Sequence, residues 1–433
     1  MDARPLPPRP SLEQYKRQAK DLLKVCRSAE PAAIHAWAEA WFRSCADEWV
    51  ETEARLRGVD VTAPLSDAIR RDVIERTRKS IRAGKIARLA DAQFFIARGH
   101  GFESWTKFAG QIHALQNANS PDARFEAAAD AIVSGDMRTL QNLLRENPEL
   151  ITARSGRTHQ GTLLQYVAAN GIEDFRQRTP GNIVEVAKLL LDAGADVNAG
   201  SAAYGGGSTI LELIATSVHP ERAGEQEHLL QLLLDHGADM RPSLIGACLH
   251  NGRGKAARFL AERGAPLNLE TAAGAGQLDA VRKYFDDSES LKPSVAMKQL
   301  QRGFLWACAY GHCDVVKFLL ARGADLRDQA DTSETALHWA VVAGDVTMIR
   351  LLLDHGAPLE EFNEFGGTAL GQAIWSFLNG DGRVDYVPVF ETLLAAGAMI
   401  EDGTVAWLDQ QESRSAAKKA AIAEVLHRYG ATT

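Results

Sequence analysis

The sequence predicts an all-α fold: an array of short, stacked helix pairs with a separate helical domain ahead of it. Three observations predict this. A leucine-rich stretch ending in Gly-Ala returns along most of the chain. A glycine able to take positive φ follows each return, where a helix would have to stop. The first hundred residues lack the pattern but carry apolar residues at helical spacing.

Taken in order, the returns begin with Leu189-Leu-Leu-Asp-Ala-Gly-Ala-Asp196 and Leu232-Leu-Leu-Asp-His-Gly-Ala-Asp239. Phe259-Leu-Ala-Glu-Arg-Gly-Ala265, Phe318-Leu-Leu-Ala-Arg-Gly-Ala-Asp325 and Leu351-Leu-Leu-Asp-His-Gly-Ala357 follow. Leu393-Leu-Ala-Ala-Gly-Ala398 and Val425-Leu-His-Arg-Tyr-Gly-Ala431 complete the series. Their glycines are spaced by 43, 27, 59, 33, 41 and 33 residues, and the longest gap hides a degenerate unit at Leu269–Asp287. Each leucine run reads as the buried stripe of a second helix. A first helix precedes it, typified by Thr335-Ala-Leu-His-Trp-Ala340, with Gly344-Asp345 as stop and start. One such pair cannot bury its own apolar face, so neighbours must stack.

The pattern resembles the ankyrin-repeat family. Thr335-Ala-Leu-His-Trp-Ala340 is close to the family's Thr-Pro-Leu-His-x-Ala. Tyr310-Gly-His-Cys-Asp-Val-Val-Lys-Phe-Leu-Leu320 resembles its second helix, and the period approaches 33 residues. The resemblance covers about residues 121–433, in roughly nine units. It implies an ankyrin solenoid that binds a partner through loop tips and the inner surface of its first helices. Several units depart from it. The place of His338 is taken by Gln165, Glu212, Gly246 or Gly371, so those units lack the imidazole that links neighbouring loops. Phe125–Asn147, with Pro148 beyond it, reads as the first unit. The last helix, Ser415–Tyr429, carries Arg414, Lys418, Lys419 and Glu424 as a polar outer cap.

Three units hold extra residues between their helices, at Ile172–Asn182, Val218–Gln226 and Asn379–Val387. Sharing one place in the unit, they are expected to project from one edge, where an array tolerates insertions cheaply. Tyr204-Gly-Gly-Gly-Ser208 has no following Lys-Ser/Thr and reads as a loop tip, not a phosphate cradle. Asn379-Gly-Asp-Gly-Arg-Val-Asp385 puts Arg383 where a calcium ligand would be needed.

Residues 1–118 hold 20 Lys+Arg against 15 Asp+Glu, and the remainder holds 28 against 41. The cysteines, Cys26, Cys45, Cys248, Cys308 and Cys313, are odd in number and include no Cys-x-x-Cys. Buried thiols in a reducing compartment are expected rather than a disulfide or zinc framework. No apolar run reaches the roughly 20 residues of a membrane helix. Met1–Pro10 has no apolar stretch of a signal peptide. A cytoplasmic protein without cofactor, metal or membrane contact is the expectation.

In residues 1–118, Ser11 precedes Leu-Glu-Gln as a capping-box-like start. Tyr15, Ala19, Leu22, Leu23 and Val25 follow at helical spacing, and Trp37, Trp41 and Trp49 share a helical face that reads as core. Asp67–Arg88 is rich in arginine and lysine and reads as a solvated face. Leu89–Phe108 reads as helix, glycine turn, helix. The segment resembles one found ahead of ankyrin repeats in uncharacterised bacterial proteins. It also resembles a helix-turn-helix, with Gln93, Ile96, Ala97 and Gly101 in place, though Lys107 and Trp105 depart from that motif.

Aligning units on the glycine between their helices gives a row of inner positions: Ala169-Asn170, Thr216-Ser217, His250-Asn251, Gly274-Ala275, Ala309-Tyr310, Val342-Ala343 and Trp375-Ser376. The row is neutral and mildly aromatic, unlike a nucleic-acid groove. Asn170, His250, Asn251, Tyr310 and Trp375 are the candidate contacts for a protein or peptide partner, with Trp306 and Trp339 expected to pack between repeats. No catalytic, cofactor or metal motif is recognised. The leading expectation is therefore a protein-protein interaction scaffold with domains at 1–118 and 119–433. The alternatives are a DNA-associated regulator using residues 89–110, and an enzyme with its site between the N-terminal domain and the first repeats.

Overall fold

The computed structural model describes residues 4, 6, 10–43, 63–83, 85–117, 119–329, 334–380, 382–411 and 416–431, with the side chains of 43 and 63–69 excepted. Cys45, Trp49, Arg414 and Ser415 lie outside the described residues. Among those described the fold is all-helical, with three isolated β-bridges in loops. The chain divides into two compact units, residues 1–239 and 240–433.

In the first unit, α1 (Leu12–Ser28), α2 (Pro31–Arg43), α3 (Ala63–Ala83), α4 (Leu89–Gly99) and α5 (Trp105–Leu115) surround one core. Tyr15, Ala19 and Leu22 of α1 are buried in it. Trp37 and Trp41 stack at 5.0 Å, and Trp41 is buried, so these tryptophans are core as expected. The expected cap at Ser11 is not formed. Its side chain bonds no helix amide, and the first turn closes through its backbone carbonyl instead. On the basic helix α3, Val73 and Ile81 face inward while Arg76 pairs with Asp72 (3.2 Å) and Arg78 with Glu75 (2.6 Å). That is the solvated face that the charge run suggested.

Helix pairs follow. Ser120 caps α6 (Pro121–Ser134), and the antiparallel α7 (Met137–Glu146) is capped by Asp136. In the next unit a 3₁₀ segment, Leu163–Ala168, takes the place of the first helix and is paired with α8 (Ile183–Asp192). The unit ends with α9 (Ile210–Thr216), α10 (Val218–Ala223) and α11 (Gln226–Asp235). The second unit continues with α12 (Leu244–His250), α13 (Gly254–Glu262), α14 (Leu269–Gly274), α15 (Leu278–Arg282), α16 (Met297–Ala309), α17 (Cys313–Leu320), α18 (Ala336–Ala343) and α19 (Val346–Asp354). It closes with α20 (Ala369–Asn379), α21 (Val387–Ala395), α22 (Thr404–Gln410) and α23 (Ala416–Arg428). One continuous apolar core from Leu269 to Leu426 runs through its pairs, as expected when each pair completes its neighbour's burial.

Side chains link neighbouring loops. His338 accepts from Thr335 at Nδ1 and donates from Nε2 to the carbonyl of Gly367 in the next loop (3.1 Å). Two units without that histidine are linked by glutamine instead. Gln165 accepts from the Thr162 amide (2.9 Å) and donates to the Ala199 and Ser208 carbonyls. Gln301 exchanges two bonds with the backbone of Asp325. A side-chain amide, carrying both a donor and an acceptor, does what a neutral imidazole does.

Two of the three insertions do not simply project. Ile172, Glu173, Phe175 and Arg176 are buried. In the second, His219 and Pro220 are buried, and Gln226 donates to the carbonyls of Ile214 and Ser217. The third lies over the turn at Gly344 (φ +68°), where an added Cβ would meet Val384 at 2.2 Å, and its Tyr386 hydroxyl donates to the Val342 carbonyl. Buried Ile172 and Phe175 in the first insertion and Tyr386 in the third carry apolar area that draws those parts inward.

Candidate functional site

In the second unit, side chains of three first helices, α12, α16 and α18, form an aromatic run. The rings of Trp306 and Trp339 lie 5.9 Å apart. Tyr310 stacks on Trp306 at 5.9 Å, and His250 meets the Trp306 edge at 5.0 Å. Trp306, Tyr310 and Trp339 are half-buried and His250 is exposed. The Trp306 indole donates to Glu270 (3.2 Å), and the Tyr310 hydroxyl donates to the Leu249 carbonyl. The two tryptophans therefore pack between repeats, as expected, while each keeps part of its face open. His250 Nδ1 donates to Gly246, and the Asn251 amide to Ala247. Trp375, on α20 at the register of Val342, is 61% exposed.

Asn170 belongs to the first unit, and its amide is already used. It donates to the Leu213 carbonyl (3.0 Å) and the Thr216 hydroxyl (3.1 Å), and accepts from the Tyr204 hydroxyl (2.5 Å). Tyr204 stands at the glycine-rich loop tip, 74% exposed. The structure thus brings His250 beside the tryptophan–tyrosine run, whereas Asn170 positions Tyr204.

The helix-turn-helix-like segment has the expected outline. Gly101 turns at φ +82°, and Ile96, Ala97, Phe108 and Ile112 are buried. Its second helix, α5, buries Gln111 against Glu126 of α6 (3.2 Å). Lys107, the one lysine or arginine on α5, pairs with Glu103 at 2.5 Å. Phe108, Gln111 and Ile112 of α5 pack inward, while Thr106, Lys107, Gly110 and His113 are exposed.

Sequence reasoning missed a buried charge cluster where these helices meet the first repeats. Arg157 pairs with Glu173 and with Glu126 (3.3 Å); Arg176 pairs with Glu126 (2.7 Å) and Asp130 (2.8 Å). Arg157, Glu173 and Arg176 are almost fully buried, with His159 and Tyr166 against them. Burial pushes the Glu126 and Glu173 carboxyls up, but the two guanidinium groups outweigh it and hold both below the usual carboxylate range. The two guanidinium groups face the two buried carboxylates, and exposed Asp130 adds a third partner at the edge. Arg157 Nη1 also donates to the His100 carbonyl (2.7 Å), and Thr158 N to that of Gly101 (2.9 Å). The cluster therefore ties α4 and α5 to the first repeats. Glu126 and Asp130 lie one turn apart on α6; Arg157, Glu173 and Arg176 come from outside the recognised helices, which is why no motif announced them.

Among the described residues, no group of three His, Cys, Asp or Glu is placed to hold a metal, and no helix is long and apolar enough to cross a membrane. Cys248 and Cys308 are free and buried, and burial raises both thiols, Cys248 to about 12.

No curated protein matches the chain. The crystal structure of the human ASB11 ankyrin repeat domain is 22% identical, covering 65% of this chain and all of that one, with a TM-score of 0.33. Residues 304–402, the stretch that holds Trp306, Tyr310, Trp339 and Trp375, match the family model for ankyrin repeats, in three copies.

Proposed function

We propose that the chain is a cytoplasmic protein-binding scaffold rather than a catalyst. About nine helix pairs from residue 121 onward would make up its ankyrin array, with residues 1–118 as a helical domain ahead of it. Its second unit holds a protein or peptide partner on the inner row of first helices, with His250, Asn251, Tyr310 and Trp375 in contact. The observation that carries the reading is Trp375, a tryptophan 61% exposed at an inner-row position of the stretch that matches the ankyrin model. Large aromatic side chains at such places are the usual anchors of an interface. The half-open faces of Trp306, Tyr310 and Trp339 extend an aromatic platform. Their packing fixes that platform before binding, which lowers the entropy cost of association. Asn170 contributes by holding Tyr204 at a loop tip of the first unit.

Capture with the tagged full chain tests this, comparing the unchanged protein with Tyr310→Ala and Trp375→Ala. A protein held by the unchanged chain and released by the Trp375 variant, with helical content intact, supports the reading. Equal retention by all three would place the interface elsewhere.

A further inference from the structure

We propose that two neighbouring loop tips, residues 359–368 and 398–403, dock a cationic segment of a partner protein. That segment would interleave lysine or arginine with aliphatic side chains. The inference deepens the protein-binding reading above and rests on it.

Three large apolar side chains stand in solvent on these loops: Phe362 at 58% exposure, Phe365 at 81% and Met399 at 65%. Single exposed apolar residues are ordinary, but several on adjoining loops mark a contact surface. The loops do adjoin, because the Met399 amide donates to the Glu360 carboxylate at 2.9 Å. On the other side, Glu361 accepts from Arg327 (2.8 Å), and the Phe362 carbonyl accepts from Gln329 (2.8 Å). The turn that displays the phenylalanines is fixed from within. Buried Asn363 accepts from the amides of Phe365 (3.1 Å) and Gly367 (2.8 Å), and its own amide nitrogens donate to the Gly367 carbonyl and to Gln372. Phe362 and Phe365 are therefore presented by a built turn, so little ordering remains to be done on binding.

Charge selects the occupant. Residues 351–412 contain eleven Asp and Glu against a single Arg383. Glu364 is exposed between the two phenylalanines, and Glu401 and Asp402 are exposed beside Met399. Half-buried Glu334 is raised first by its own burial and then by the Glu364 carboxylate, so like charges crowd this part of the loop row. A nucleic acid or acidic peptide would be repelled. A purely apolar partner would strip water from carboxylates and give them no counter-charge. A cationic segment with aliphatic side chains meets both demands, and its guanidinium groups can lie over the open ring of Phe365.

The test is selection from a displayed library of random peptides against the full chain, read by anisotropy with the selected peptides. Enriched sequences should combine Lys or Arg with aliphatic residues. The double variant Phe362→Ser/Phe365→Ser should weaken them about tenfold or more, as loss of a central anchor does. Glu364→Lys/Glu401→Lys should do the same, and Tyr310→Ala should not. All these residues but Tyr310 are exposed, and an unchanged helical spectrum checks that each variant folds. Selection of acidic or uncharged peptides, failure to select any, or binding indifferent to the loop variants overturns the proposal. So does concentration-dependent self-association abolished by Phe365→Ser, which would make a second copy the occupant. Peptides released by Trp375→Ala but not by the loop variants would overturn the loop-tip assignment and leave the inner-row reading standing.

Discussion

Arg157 shows how much a single buried side chain can organise. It reaches Glu126 on α6, Glu173 in an insertion and the carbonyl of His100 beyond α4. Removing one partner of a buried pair leaves an uncompensated charge, at a cost of about 3–5 kcal/mol. Glu173→Gln is therefore expected to lower stability by about that much in denaturant unfolding. Replacing Arg157, Glu126, Glu173 and Arg176 together with apolar residues of similar volume is expected to cost far less. His100 supplies a pH signature. Its ring lies between Tyr15, Trp41 and Phe108 and donates to the Arg4 carbonyl. Burial, the largest cause, lowers its pKa from 6.5 to about 3. The unfolded chain therefore binds the proton first. The contribution of His100 is complete above pH 6.5 and is lost as pH falls toward 3, by up to about 1.4 kcal/mol per pH unit. Unfolding free energies measured across this window should fall less steeply for His100→Phe than for the unchanged protein. Sequence could not supply any of this. A charged residue in a loop reads as solvated, and burial depends on partners that only the tertiary fold assembles.

At the scale of elements, the repeats were legible because one physical constraint recurs. A leucine stripe must be buried, and a glycine must end the helix, so both leave a period in the sequence. The links between loops were legible only in part. His338 was recognisable, but Gln165 was read as a missing imidazole, whereas its amide makes three bonds in the same place. His338→Ala and Gln165→Ala are each expected to cost about 1–3 kcal/mol, because buried backbone groups lose their partners. Gln165→His should recover most of the loss in its unit. The Ile172–Asn182 insertion was expected to project because its place in the unit is peripheral. It folds inward because Phe175 and Ile172 carry apolar area and Arg176 finds two carboxylates. The inner row was legible as a register, since the glycines fix it. Which members keep an open face was not, because exposure depends on how neighbouring rings stack.

For the molecule as a whole, the reading is that the second unit presents the partner surface, while in the first unit the N-terminal helices are fastened to the first repeats. Loss of an anchor such as Trp375 is expected to weaken partner binding by about 2 kcal/mol, near thirtyfold, without a shift in melting temperature. The most direct test is site-specific photo-crosslinking in the full chain. A photoreactive residue would be placed at Trp375 on the inner row, and in a separate protein at Arg350, which is exposed on the second helix α19. A discrete protein adduct at position 375 and none at position 350 is the expected result. Equal crosslinking at both positions, or an adduct at 350 alone, would contradict the assignment of the inner row as the binding face.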